Sequence, residues 1–219
     1  MTYDATVTRA ALLLAVAAAF VVPAALAAPE FKGSIHRIDA ELRERMTGRS
    51  WHRGCPVRIR DLRLLRVRHW GFRGRVRAGH LVVNRWQARK MMRVMRKLFE
   101  RHFPIRRMHL VDRYGASDSR SMNANNTSAF NCRFVAGTNT WSEHAYGRAI
   151  DINPVQNPYV SNGVASPRKG QRYVDRSKRR KGMIHPGDRV VRAFRSVGWG
   201  WGGSWSPDKD YQHFSSTGH

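Results

Sequence analysis

Carboxylates are scarce in this chain: 15 Asp and Glu stand against 40 Lys and Arg, a formal net charge of +25. Such a surface attracts polyanions, whether nucleic acid, anionic lipid or an acidic cell-wall polymer, and charge alone does not choose among them. Cysteine is nearly absent, with Cys55 and Cys132 only, so the chain has at most one intrachain disulfide. There is no internal repeat, which excludes a solenoid or propeller. Length is also limiting. The 219 residues suffice for one well-buried domain with tails and are too few for two large ones.

Long apolar runs are absent except at the start. Ala10 to Ala27 is rich in Ala, Leu and Val, follows a short polar stretch with Arg9, and ends in the small-x-small pattern Ala25-Leu26-Ala27. Residues 1–27 read as a secretory signal peptide, with an uncleaved membrane anchor as the alternative. Both place the rest of the protein outside the cytoplasm, which argues against a specific nucleic-acid partner. Export also makes a Cys55–Cys132 disulfide the favoured state over two buried thiols. A bridge over so long a loop is worth roughly 4 kcal/mol in the chain-entropy model.

Residues 28–54 are polar and mixed in charge, and are expected to form an irregular arm or a short helix. Regular patterning begins at Cys55. Leu62–Trp70 and Arg75–Asn84 read as two strands around the turn Gly71-Phe72-Arg73-Gly74. Asn84 and Gln87 have capping-box spacing. The helix they open is expected to reach about His102 and to bury Met91, Val94, Met95, Leu98 and Phe99. Pro104 stops it. Met108–Val111 and Phe130–Val135 are expected strands, with a Ser/Asn-rich loop over 115–128 between them. In Arg148–Asn153, Ile150 and Ile152 alternate with Ala149, Asp151 and Asn153. Residues 156–183 read as a long polar insertion whose basic run, Arg176 to Lys181, is a solvated loop or a docking surface for an acidic wall polymer. Arg189–Ser196 fits a short helix ending at Gly198, and a last strand surrounds Tyr211–Ser215. Strands and helices do not alternate regularly. The expected fold is therefore α+β, with a mostly antiparallel sheet and flanking helices.

Three segments collect the chemistry: Ser142-Glu143-His144-Ala145-Tyr146-Gly147-Arg148-Ala149-Ile150-Asp151, Trp199 to Trp205, and Asp210-Tyr211-Gln212-His213-Phe214. Two imidazoles and one carboxylate suit catalytic zinc, which takes three protein ligands and keeps one position open. His144, Asp151 and His213 can supply that set. Gly147 and Ala149 keep the path between the first two free of bulk. Hydrolysis also needs a proton carrier. Asp210 is the candidate, and Glu143 competes but points to the opposite face in an extended segment. His185 reads as a loop histidine. Of Trp199, Trp201 and Trp205, at least one belongs to the core, and Trp205 is placed to wall a substrate cleft. Asp118 and Arg120 are either a surface pair or part of the cleft rim.

The stretch S-x-H-x-x-G-x-A-x-D from Ser142 to Asp151, with W-G-G-x-W at Trp201–Trp205 and D-x-x-H-F at Asp210–Phe214, resembles the zinc D-alanyl-D-alanine carboxypeptidase family. That family shares its fold with L-alanyl-D-glutamate endolysins and the hedgehog signalling domain. The resemblance extends from about Cys55 to Ser215, so the expected peptidase domain is 55–219. It implies His144, Asp151 and His213 as Zn²⁺ ligands and Asp210 as catalytic acid/base, where many relatives carry Glu. It implies peptidoglycan stem peptides as substrate, with D-Ala–D-Ala as the first choice of bond and L-Ala–D-Glu as the alternative. An Arg that holds the substrate carboxylate is also implied. The usual G-Y-R-S form of that motif is replaced here by Asn125 to Arg133, and Arg133 and Ser128 are the candidates, with Ser142 and Trp205 beside them. The expected protein is an extracytoplasmic monomer. A non-catalytic zinc-bearing wall-binding module is the alternative from another class, and retention of Asp210 argues against it.

Overall fold

The computed structural model describes Met1 and residues 28–219; the expected signal segment lies outside the described residues. In chain order the elements are β1 (Gly33–Arg37), α1 (Ala40–Met46), β2 (Leu62–Trp70), β3 (Val76–Asn84), α2 (Ala88–Glu100), β4 (Arg107–Met108), α3 (Asp118–Asn123), β5 (Asn126–Thr127), β6 (Ala149–Asp151), β7 (Tyr159–Ser161), β8 (Val164–Ser166), α4 (Arg189–Arg195), β9 (Gly200–Trp201), β10 (Lys209–Asp210) and β11 (His213–Ser215). They form three antiparallel sheets, ordered β1-β2-β3, β6-β11-β9 and β10-β7-β8, and one parallel pair, β4-β5. The fold is α+β and mostly antiparallel. Among the described residues no helix is long and apolar enough to cross a membrane.

The β2–β3 hairpin is the spine. Its sequence is apolar at successive positions because both faces are covered. Leu65, Val67, Leu81 and Val83 join α2, α4 and the strands β6, β9 and β11 in the larger core. Leu62, Leu64 and Val82 face the other way and pack with Leu42 and Met46 of α1 and with Phe130. The apolar stripe of α2 is buried as its period requires, at Met91, Val94, Met95, Leu98 and Phe99. Asp188 caps α4, accepting the N–H groups of Val190 and Val191 at 2.8 and 3.1 Å.

Several local expectations differ from what forms. Residues 28–54 hold the short helix but also β1, which pairs along β2 from Gly33↔Val67 to Arg37↔Arg63. Asn84 does not cap α2: its Oδ1 accepts the Trp86 N–H, closing a turn that delays the helix to Ala88. The Gln87 side chain accepts the Trp199 indole N–H instead. Residues 130–135 form no strand. Phe130 and Cys132 are buried while Phe134 and Val135 are exposed, and pairing is limited to one bridge, Phe134↔Trp141. The stretch expected as loop over 115–128 contains α3, which Ser117 caps through the Arg120 N–H. The polar insertion carries the β7–β8 hairpin. Within the basic run, Arg176 is only partly exposed. It donates to the carbonyls of Gln156 and Tyr173 and lies over the Tyr211 ring. Burial pushes its guanidinium down to about 10. Residues Lys178 to Lys181 are exposed.

Candidate metal centre

Strand register builds two thirds of the site. β11 runs antiparallel to β6, with His213 opposite Asp151 and Phe214 opposite Ile150. Directly opposed side chains share a face and sit close together. Ile150 and Phe214 fill the core behind the sheet, so Asp151 and His213 emerge together in front. The third group comes from the 3₁₀ turn Glu143–Tyr146. The Ser142 hydroxyl accepts the His144 N–H at its start. Gly147 ends it in the left-handed region at φ +68°. A Cβ on Gly147 would lie 2.6 Å from the Asn84 nitrogen, so the turn approaches β3 as only glycine permits.

The three side chains converge. Asp151 places one carboxylate oxygen 3.2 Å from His144 Nε2 and the other 3.2 Å from His213 Nδ1. The two imidazole nitrogens are 3.3 Å apart. The second nitrogen of each ring is already engaged. His144 Nδ1 is 2.5 Å from the Ala129 carbonyl, and His213 Nε2 is 3.3 Å from the His219 carbonyl. A carbonyl only accepts, so both of those nitrogens carry the hydrogen. His144 Nε2 and His213 Nδ1 then point lone pairs at one another and at a carboxylate. Unprotonated, these groups repel in that geometry, and a cation between them, a proton or a metal ion, relieves it. Tetrahedral bonds of about 2.0–2.1 Å give donor–donor edges of about 3.3 Å, so the spacing fits a small tetrahedral ion. All three residues are buried.

The charges respond to this crowding. Burial opposes ionisation of Asp151, but the charges and hydrogen bonds of His144 and His213 outweigh it and hold the carboxyl well below its usual range. Burial also disfavours His213 protonation, and the Asp151 contact overcomes it, raising the imidazole. Asp210 goes the other way. Desolvation first, and then the Asp151 charge, push its carboxyl up to about 7. Its Oδ1 is out of solvent and has no hydrogen-bond partner. β10 supplies it, pairing Asp210 with Tyr159 of β7. Gly202 makes room, since a Cβ there would meet the Asp210 Cβ at 2.9 Å.

The other expected site residues fall in different places. Ser128 clamps Asp151 through the backbone, each N–H reaching the other's carbonyl at 3.1 and 2.8 Å. Its neighbour Ala129 orients His144, so residues 128–129 hold two of the three groups. No side-chain pattern could have revealed the Ala129 carbonyl. Ser142 acts as a turn cap. Arg133 lies beside Ser142, whose N–H it accepts at its carbonyl, and its guanidinium pairs with Asp118 at 2.9 Å. Asp118 thus partners Arg133, not Arg120. Glu143 is turned away and gripped by Arg148 through two bonds, 2.6 and 2.9 Å. Trp199 and Trp201 belong to the core. The Trp205 ring lies 5.3 Å from that of His213 and flanks the centre. His185 is buried, with its N–H bonded to Asp188. Cys55 and Cys132 form a disulfide. The grouping of His52 with these two sulfurs therefore offers no thiolate.

A buried set of two imidazoles and a carboxylate, beside an unpartnered carboxyl, is the kind of centre that metal-dependent hydrolases use. Residues 136–216, which hold His144, Asp151, Asp210 and His213, match the family model described as D-alanyl-D-alanine carboxypeptidase. The match supports the family read from the sequence, and with it a peptidase of D-alanyl-D-alanine carboxypeptidase type. No curated protein and no solved structure matches the chain significantly.

Proposed function

We propose that this protein is an exported zinc peptidase that hydrolyses an amide bond in peptidoglycan stem peptides, with the terminal D-Ala–D-Ala bond as its first substrate. The observation that carries the reading is the convergence of His144 Nε2, His213 Nδ1 and the Asp151 carboxylate at 3.2–3.3 Å, within a segment of the carboxypeptidase family. His144, Asp151 and His213 hold the ion. Zinc, when bound, supplies carbonyl polarisation and a water acidified towards a pKa of about 7.

The chain's own residues do the rest. Asp210 faces the centre with a free oxygen and a carboxyl that exchanges its proton near neutrality. It takes a proton from the attacking water at Oδ1 and gives one to the leaving amine. A bound cation lowers its pKa, which favours the base form at the start of the cycle. Arg133 anchors the substrate's terminal carboxylate, exchanging it for Asp118. Trp205 closes one side of the cleft and limits water. Export rests on the apolar stretch from Ala10 to Ala27 and its small-x-small end.

Digestion of purified muropeptides by the zinc-loaded protein, followed by mass spectrometry, tests the reading. Loss of one terminal Ala is expected. Release of the peptide beyond its first L-Ala would move the cut to L-Ala–D-Glu. Absence of any product would refute the peptidase. Asp210→Asn is expected to retain zinc and to lose about 10²–10⁴ in turnover; hydrolysis at the native rate would remove Asp210 from the mechanism.

A further inference from the structure

The peptidase reading leaves most of the positive charge unexplained, and part of that charge is gathered in one place. An open groove of about 750 Å³ lies between the β2–β3 turn and β4. Arg73, Arg75, Arg77, Arg106 and Arg107 line it, and no carboxylate does. All five are exposed. Among the described residues none of them is in an ion pair. Like charges gathered this closely raise one another's energy, and an anion is what relieves it.

The frame beneath them is fixed. Gly79 lets β3 lie against β4: a Cβ there would sit 2.6 Å from the Met108 sulfur. The Trp70 carbonyl accepts the Ile105 N–H at 2.8 Å, and Asn153 Oδ1 accepts the Arg106 N–H at 3.0 Å. Both walls are thus tied to the sheet and to the strand that ends in Asp151. The guanidinium stems start from a rigid base, which lowers the ordering cost of binding. At the turn, Phe72 packs on Gly182, leaving no room there for a Cβ. The exposed residues Lys178 to Lys181 precede that glycine, so the basic surface continues past the groove.

We propose that this groove binds a polyol phosphodiester polymer, one chain of which lies along it under the forks of its five arginines. Planar guanidinium matches phosphate bidentately, where ammonium offers only a point charge. A bare phosphodiester chain fits better than nucleic acid. Binding single strands relies on aromatic platforms for the bases; of the rings in the lining, Phe72 is packed against Gly182, His69 is buried, and His109 alone offers a partly exposed imidazole. It also fits better than a bilayer, whose headgroups present a plane, whereas these arginines line a recess.

The test is equilibrium binding of the full chain, without added metal, to poly(glycerol phosphate), with no turnover required. Its outcome is therefore independent of the peptidase reading. Five phosphate contacts, at the counterion release of a flexible strand, predict about a hundredfold weakening between about 50 and 200 mM salt. The triple variant Arg75→Gln/Arg77→Gln/Arg107→Gln should weaken only about sevenfold over the same range, and should bind worse than native at the low end. Arg73→Gln/Arg75→Gln, confined to the exposed turn, gives a second reading should the triple variant melt early. Native-like binding by either folded variant would overturn the site. Tighter binding to oligo-dT, to poly-L-glutamate or to vesicles rich in phosphatidylglycerol, at equal charge, would overturn the ligand class.

Discussion

Replacement of Gly147 by Ala separates two costs that usually arrive together. Gly147 has φ +68°, and a Cβ there would lie 2.6 Å from the Asn84 nitrogen and 3.2 Å from the Val83 carbonyl carbon. Gly137 has a similar φ of +75°, with nothing within 4 Å of the added Cβ. An L-residue in the left-handed region costs about 1–2 kcal/mol. Loss of unfolded-state freedom returns about 0.4–1 kcal/mol. Gly137→Ala is therefore expected to destabilise by about 1 kcal/mol, a fall of about 2–4 °C in Tm for a chain of this size. Gly147→Ala carries the same strain plus a collision with backbone that cannot swing away. The Asn84 N–H already donates to the Gly147 carbonyl at 2.7 Å. Overpacking adds about 1–3 kcal/mol, for a total of about 2–4 kcal/mol and a fall of about 5–15 °C. Any escape shifts the turn that carries His144, so zinc affinity should drop about 10–100-fold, as when a ligand loses its support. Gly137→Ala should leave zinc affinity alone. Thermal unfolding and competitive zinc titration of both variants check this. Equal Tm losses, or native zinc affinity in Gly147→Ala, would show that the approach of this turn to β3 does not set the ligand's position.

In zinc-free protein the Asp210 carboxyl, raised to about 7 in the folded state, binds protons more tightly folded than unfolded. Its contribution is therefore intact below its ordinary value of 3.8 and is lost as pH rises through about 7. Asp210→Asn should accordingly melt higher than native at pH 8 and gain distinctly less at pH 5, by calorimetry on chelator-treated samples; the same gain at both pH values would contradict the buried, charge-crowded environment. Asp151→Asn removes the anion between the two imidazoles and should lower zinc affinity by more than the roughly 10–100-fold that follows loss of an outer partner, read by the same titration. Retained stoichiometric zinc at chelator concentrations that native protein survives would mean that the ion sits elsewhere.

The sequence announced the side chains that converge at the centre. His144, Asp151, His213 and Asp210 stand in a motif, and the structure brings them together. Long elements were legible too. β2 and β3 are set by apolar runs covered on both faces, α2 by a stripe whose burial follows its period, and α4 by an apolar stripe closed by Gly198. What escaped was short or made of backbone. α3 has six residues, too few for a stripe, and is held by the Ser117 cap and by contacts made only after folding. β7 and β8 have three residues each, and pairing with distant chain decides them. The Phe130–Val135 run is apolar enough for a strand. It becomes instead the irregular wall between α1 and the metal side, because Ser128 and Asn131 spend their backbone groups on Asp151 and His144. Side-chain chemistry pointed to the residues that converge, and main-chain chemistry, silent in composition, holds them in place.

The pairing of Phe214 with Ile150 behind the sheet carries a consequence for how errors are read out. Alternation along a strand has a period of two, so a slip of one residue between β6 and β11 would turn Asp151 and His213 inward and both apolar side chains out. The core thus proofreads the metal site: the burial of Ile150 and Phe214 rejects the wrong alignment before any ion arrives. Mutations that loosen this core, at positions that never touch the metal, should appear first as slow or partial metal uptake, with loss of secondary structure only later. Fidelity at the centre is inherited from the packing behind it.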